Sequence, residues 1–175
     1  MSGKHKLRAC VNSDLPVLEP LYRVAFPDED LIPLVRCLVE SEDGTFSQVA
    51  IVNGDIVGHI VFTMCTVDGH SLLVSLLGPL CVLPDHQKQG IGSSLVRSGF
   101  EHCKELGARR VLVLGDPSYY GRIGFRPETG ITAPYPLPEE WKDAWQSLQL
   151  NEHSAQLNGR LVVPAPWQDP ALWGP

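Results

Sequence analysis

Several features are missing from this 175-residue sequence, and each absence removes a class of protein. No basic run is longer than Arg109-Arg110 and the formal net charge is −6, so the electrostatic footprint of a nucleic-acid binder is lacking. No apolar stretch is long enough to span a bilayer. The longest, Leu72 to Leu83, is interrupted by Ser75, Gly78 and Pro79. Met1 to Asp14 is mixed and polar, without the apolar centre of a signal peptide. The five cysteines (Cys10, Cys37, Cys65, Cys81, Cys103) are odd in number, widely spaced and form no CxxC. That argues against a disulfide scaffold or zinc ribbon and fits free thiols in a reducing cytoplasm. The six histidines form no HExxH or HxH pair, so no metal site is expected. With 43% hydrophobic and 19% charged residues, the chain is neither disordered nor a coiled coil.

What is present is the patterning of one α/β domain over residues 1–175. His5 to Val11 reads as a short strand. Asp14 to Cys37 reads as two helices divided at Pro27, with Asp14 and Asp28 as N-caps and Leu15, Leu18, Leu21, Tyr22, Leu31, Leu34, Val35 and Leu38 at helical spacing. Val49–Val52, Asn53-Gly54 and Ile56–Met64 form a hairpin with a strong turn signal. A second turn at Val67-Asp68-Gly69-His70 leads into Leu72–Leu83, giving a three-stranded antiparallel meander. Gly90 to Leu106 reads as a helix stopped by Gly107, and Val111–Leu114 as a strand buried on both faces. A right-handed crossover would lay that strand parallel to Leu72–Leu83. Asp116-Pro117 opens a short helix ended at Gly124. Eight of fifteen prolines lie from Pro127 onward and all four tryptophans from Trp141 onward. Residues 127–175 are therefore expected as an ordered extension packed on the domain, with Glu139–Leu148 helical (Trp141, Trp145 and Leu148 on one face).

The segment richest in chemistry is Gly78-Pro79-Leu80-Cys81-Val82-Leu83-Pro84-Asp85-His86-Gln87-Lys88-Gln89-Gly90-Ile91-Gly92-Ser93. A strand ends, a glycine-containing loop follows, and a helix begins. Amide groups with no helical acceptor, the positive end of the helix dipole and closely approachable glycines together make an anion site, suited to a phosphate or pyrophosphate. A Walker loop would require Gly-Lys-Ser/Thr, and the helix here opens Gly92-Ser93-Ser94. A dinucleotide fingerprint is met only in part by Gly90-x-Gly92-x-x-Leu95, with Asp116 as a ribose ligand, and the preceding strand belongs to a meander.

Gln87-x-x-Gly90-x-Gly92, placed after the meander, resembles the acetyl-CoA motif of the GNAT (GCN5-related) N-acetyltransferase superfamily. Tyr120-Gly121-Arg122-Ile123-Gly124-Phe125 is similar to the Tyr-x-x-x-Gly-Phe that follows the next strand in that superfamily. Leu77-Gly78-Pro79-Leu80, Leu114–Tyr120 and Pro136–Trp141 resemble its YhbS-like bacterial branch. The resemblance implies a mixed, mostly antiparallel β-sheet flanked by helices and splayed at the cofactor site. It implies acetyl-CoA as co-substrate and an amine acceptor (small molecule or peptide) and allows a homodimer; the charge and the short apolar runs argue against a nucleic acid or membrane partner. Leu80, Cys81 and Val82 would hold the pantetheine arm through their backbone. Gln87, Lys88, Gln89, Gly90, Ile91, Gly92 and Ser93 would form the pyrophosphate cradle, and Tyr120 would protonate the departing thiolate. Many superfamily members carry Asn seven residues before that tyrosine; this chain has Val113, with Asp116 as a substitute contact or simply a helix cap.

Other candidates have plainer readings beside them. Cys81 is a nucleophile or a small core residue; with no base beside it in sequence, the core role fits better. His59 and His70, on the meander, face substrate or solvent. Asp28-Glu29-Asp30 caps a helix or receives a cationic amine, with Glu29 as base or acceptor contact. Two further functions stay open at this level: a non-catalytic acyl-CoA sensor and a nucleotide-binding oxidoreductase.

Overall fold

Asn53 and Gly54 both adopt positive φ (51° and 88°), the left-handed pair that a two-residue hairpin turn requires. They join β2 (Thr45–Val52) to β3 (Asp55–Val67), paired antiparallel from Thr45↔Thr63 to Val52↔Asp55. Gly69 (φ 81°) turns β3 into β4 (Leu73–Val82), and the Leu83 N–H donates to Val57 O at 2.8 Å, so the end of β4 returns beside the start of β3. The computed structural model describes residues 4–41, 44–152 and 156–175, so Met1–Gly3 of the expected domain lie outside it. Neighbouring strands in the nine-stranded mixed sheet run β1 (Lys6–Ala9), β2, β3, β4, β5 (Arg110–Leu114), β8 (Trp145–Gln149) and β6 (Arg126–Pro127), with β9 (Gly159–Val162) on β3 and β7 (Ile131–Thr132) on β9. Chain contacts divide this protein into two units, residues 1–63 with 78–101 and residues 64–77 with 102–175.

In the first unit, β1 (Lys6–Ala9) pairs antiparallel with β2. Helices α1 (Leu15–Ala25) and α2 (Ile32–Glu40) cover one face of the sheet, where Leu18, Leu21, Tyr22 and Val35 pack with Val49 and Cys81. Helix α3 (Ile91–Glu105) covers the other, so closely that a Cβ on Gly99 would lie 2.1 Å from the Phe62 ring.

In the second unit, β5 (Arg110–Leu114) runs parallel to β4, in register from Ser75↔Val111 to Leu77↔Val113. The ladder stops there while β4 continues to Val82. Helix α4 (Pro117–Ile123) follows, with Asp116 accepting from the Ser118 N–H at 2.9 Å and Gly124 (φ 119°) ending it. Next come β6 (Arg126–Pro127), β7 (Ile131–Thr132), β8 (Trp145–Gln149) and β9 (Gly159–Val162).

Three expectations are corrected. The second helix begins at Ile32 and reaches Glu40, because Pro33, with its fixed φ, belongs to a first helical turn; Asp28 caps nothing. Asp14 stands at the head of α1, but its carboxylate accepts instead from Arg8 (2.8 and 2.9 Å) and the Val11 N–H (2.9 Å). The Arg8 hydrogen bond holds that carboxyl below its ordinary range. Glu139–Leu148 is a 3-10 turn (Glu139–Ala144) running into strand β8, paired antiparallel with both β5 and β6. The Trp141-Trp145-Leu148 spacing fits a helix equally well, but the outer edge of β5 needs a hydrogen-bonding partner.

Candidate active site

The loop between β4 and α3 is built as the sequence suggests. Leu80, Cys81 and Val82 end β4, a 3-10 turn at Pro84–His86 follows, and Lys88 (φ 60°) and Gly90 (φ 80°) take left-handed conformations before Ile91 opens the helix. The first helical bond is from the Ser94 N–H to Gly90 O, at 3.0 Å. The backbone N–H groups of Lys88, Gln89, Gly90, Ile91, Gly92 and Ser93 find no acceptor among the described residues. These six consecutive donors, at the positive end of a 15-residue helix, fit a diphosphate. Two expected contact side chains are turned inward as braces. Gln87 donates to Val82 O (3.0 Å) and Gln89 to Asp85 O (3.2 Å), which fixes the loop against the strand it leaves.

Cys81 takes its core role. Its side chain is buried under α1 with Sγ 3.9 Å from Leu21 O, and burial pushes its thiol up to about 12. A thiol so seldom ionised is no nucleophile.

His59 neither faces solvent nor stands as an open base. It is fully buried on the α1 face and shares a 2.8 Å hydrogen bond through Nδ1 with the Tyr22 hydroxyl, while Nε2 has no partner among the described residues. Burial pushes its pKa down to about 3 and that of Tyr22 up, so both are neutral near pH 7. His70 is exposed, with Nε2 3.1 Å from Asn158 O.

Above Tyr22 lies a cleft of about 920 Å³ between the end of α1 and the start of α2. Phe26, stacked on Tyr22 (6.0 Å between centroids, 20°), lies on its wall with Ile32 and Pro33. Asp28, Glu29 and Asp30 ring its edge, exposed and without ion-pair partners among the described residues, so the acidic joint faces open space and caps no helix. Sequence reading missed Tyr22 as part of this wall; its i, i+4 spacing to Phe26 was the available signal.

In the second unit, Tyr120 lies on α4, 8% exposed, with its ring edge-on to Tyr119 (5.0 Å) and Phe125 (5.4 Å). Gly115 makes room for it, since a Cβ there would meet the ring at 2.5 Å. Burial first, and the Tyr119 phenol second, push its pKa above the ordinary 10. Its hydroxyl has no hydrogen-bond partner among the described residues, which leaves a protonated donor. Val113 is core, so no polar side chain extends from that position; across the strand pair the buried Gln146 donates to Gly115 O at 3.1 Å. Asp116 is spent on its cap: both the Ser118 hydroxyl (2.8 Å) and amide donate to it and hold its carboxyl below the usual range.

Among the described residues no cluster of His, Cys, Asp and Glu could hold a metal ion, and no helix is long and apolar enough to cross a membrane.

Known proteins are similar to this chain in sequence and fold. The N-acetyltransferase YjhQ of Escherichia coli (strain K12) is 40% identical over 79% of this chain and 81% of its own. The crystal structure of E. coli YhbS in complex with CoA is 25% identical, covers 97% of this chain and 94% of that one, and superposes with a TM-score of 0.86. A GNAT family acetyltransferase from Brucella melitensis, solved in complex with acetyl-CoA, is 26% identical over 95% and 99% of the two chains, with a TM-score of 0.75. Residues 15–125, which hold both the amide-lined loop and Tyr120, match the Acetyltransferase (GNAT) family, and it is to this family that the chain belongs.

Proposed function

We propose that this protein moves the acetyl group of acetyl-CoA onto a primary amine of a small molecule or peptide, by direct attack within a ternary complex. The observation that carries this reading is the row of six acceptor-less amides from Lys88 to Ser93. It is supported by the CoA and acetyl-CoA found in the E. coli YhbS and Brucella structures. Acetyl-CoA, when bound, supplies an activated thioester.

The loop amides hold the diphosphate, with Lys88 adding a point charge. The backbone of Leu80, Cys81 and Val82 holds the pantetheine arm as an added strand would, and an N–H of that stretch steadies the negative charge developing on the acyl oxygen. The acceptor nitrogen must be neutral to attack, and Glu29 receives its proton or orients it. Tyr120 Oη–H donates to the leaving sulfur. Direct attack needs no enzyme nucleophile, and Cys65, Cys81 and Cys103 are buried with raised thiol pKa values. Residues 1–175 act as one acyltransferase domain that includes the 127–175 extension, and the five free thiols suit a reducing cytoplasm.

The deciding experiment supplies acetyl-CoA with a panel of amines and follows release of the CoA thiol. Amine-dependent release is expected. Tight CoA binding with no release for any amine would make this chain a sensor. Tighter stabilisation by NAD(P) than by CoA would make it a nucleotide-binding protein. With an active amine in hand, Glu29→Gln should raise KM for a cationic acceptor and leave CoA affinity unchanged; unchanged KM would remove Glu29 from the acceptor site.

A further inference from the structure

The second unit contains a cleft of about 580 Å³ that the acetyl-transfer reading does not use. Strand register builds it. Arg110 on β5 stands opposite Gln149 on β8, and Ser147, two residues back on β8, stands opposite Arg126 on β6. Cross-strand partners and i, i+2 neighbours share a face, so these four side chains lie together on one face of the sheet. Glu128 and Asn158 complete the wall.

The charges in this cleft are unevenly satisfied. Both oxygens of the buried Glu128 are engaged: Oε1 accepts from Arg110 Nη1, and Oε2 from the Thr129 N–H at 3.1 Å. Arg110 is not equally engaged. Its side chain is 8% exposed, its Nε–H is buried without a partner, and Nη2 makes no hydrogen bond among the described residues. Nε and Nη2 point the same way and form the side-on fork of a guanidinium, whose spacing matches the two oxygens of a carboxylate. Tying β5 to the Glu128 loop needs only the Nη1 contact. It does not account for a free fork in a cleft, and a buried donor left unpaired is unfavourable. Arg126 adds a second, exposed guanidinium, whose Nη1 donates to Gly121 O (3.2 Å) and Phe125 O (2.7 Å), so two cations line the cleft beside one already satisfied anion. Ser147, Gln149 and Asn158 offer hydroxyl and amide groups beside them.

We propose that this cleft binds a small hydrophilic monocarboxylate, its carboxylate seated side-on against Arg110 Nε and Nη2 and its hydroxyl or amide groups held by Ser147, Gln149 and Asn158. Neither the amide-lined loop nor Tyr120 contributes a lining residue to this cleft, and the proposal stands whether or not the acetyl-transfer reading holds.

The test uses the full chain, labelled with 15N, and follows the arginine Nε–Hε resonances during titration. Sodium glycerate is the probe; glycerol, chloride and inorganic phosphate are the controls. Arg110→Lys assigns the Arg110 signal by its loss while keeping a cation for Glu128. Glycerate should shift the Arg110 Nε–Hε signal saturably, in the low-millimolar range, at concentrations where glycerol and chloride do not. Arg126→Gln should weaken that binding several-fold, and Asn158→Ala more modestly. No saturable shift up to 50-fold above that range (roughly 100 mM), or an equal shift with glycerol or chloride, would overturn the proposal; an equal shift with phosphate would overturn the choice of a carboxylate. If Arg110→Lys does not fold, the Arg110 signal is assigned by its coupling to the Glu128 loop, and the wild-type titration still decides.

Discussion

At the scale of single residues, burial sets the protonation state of the two aromatic hydroxyls and one imidazole that matter most. Tyr120 keeps its proton because its ring is enclosed by Tyr119, Phe125 and the bare backbone of Gly115. Tyr120→Phe preserves that packing and removes only the donor. It should lower kcat by about 10–100-fold, the low end of general-acid assistance because a thiolate leaves readily, with CoA affinity and melting temperature nearly unchanged. Tyr119→Phe, measured alongside, should be close to wild type; full activity in both would leave water as the acid. His59 makes a separate, thermodynamic prediction. Its pKa is about 3 folded against 6.5 as its ordinary value. Between those values the unfolded chain takes up a proton that the folded chain does not, so stability is fully present above pH 6.5 and is lost as pH falls. The slope from this one group approaches about 1.4 kcal/mol per pH unit below pH 6. Asp14 adds its own loss only lower, below the ordinary carboxyl range, because its folded pKa is depressed. Urea denaturation at pH 7, 6 and 5 should show the His59 slope in the wild type and a flatter profile in His59→Gln, whose amide can still meet the Tyr22 hydroxyl. Equal slopes would mean that another group dominates acid sensitivity.

At the scale of elements, what was legible in the sequence was what is decided locally. Asn53-Gly54, Gly69, Gly107 and Gly124 each mark a turn or helix end because only a left-handed backbone closes it, and all four have positive φ. The buried run Val111–Leu114 announced a central strand and, through the crossover rule, its parallel partner. The amide-lined loop was legible for the same reason, since strand, glycines and helix start are contiguous. The start of α2 was not, because an acidic residue after Pro27 looks like a cap until Pro33 claims the first turn. Strand β8 was hidden more deeply: its spacing permits a helix, and the strand that decides the matter lies some 35 residues earlier. The Tyr22–His59 pair, the Arg110–Glu128 pair and the second cleft depend likewise on distant partners. For the loop the prediction is direct. Gly92 lies in the first turn of α3 without a strained φ, so Gly92→Asp leaves the backbone intact and introduces a carboxylate among the six free amides. CoA binding should fall by at least 100-fold while the far-ultraviolet spectrum stays unchanged. A folded Gly92→Asp protein with wild-type affinity would remove the diphosphate from this loop.

At the scale of the whole molecule, the match to the Acetyltransferase (GNAT) family ends at residue 125, yet the second unit is not complete there. Strand β5 takes its outer hydrogen bonds from β8, β3 takes two further pairs from β9, and both added strands lie beyond that boundary. Three of the four tryptophans close this region. Trp173 is 2% exposed, packs against Trp145 (5.9 Å) and Trp167 (5.8 Å), and donates its Nε1–H to Trp167 O at 3.1 Å. Trp145 in turn donates to Ile131 O at 2.7 Å, so the third residue from the end of the sequence is coupled through two rings to strands β7 and β8. If residues 127–175 were only a covering, truncating Trp173 would fray the end and cost little. If they complete the core, Trp173→Ala opens a cavity against Trp145 and should cost about 3–5 kcal/mol, the range for truncating a buried aromatic. Urea denaturation followed by tryptophan fluorescence and by far-ultraviolet circular dichroism separates the two cases. The expected result is a large, equal shift of midpoint with both probes. A shift below about 0.5 kcal/mol, the size of an ordinary surface change, would mark the segment as an appendage.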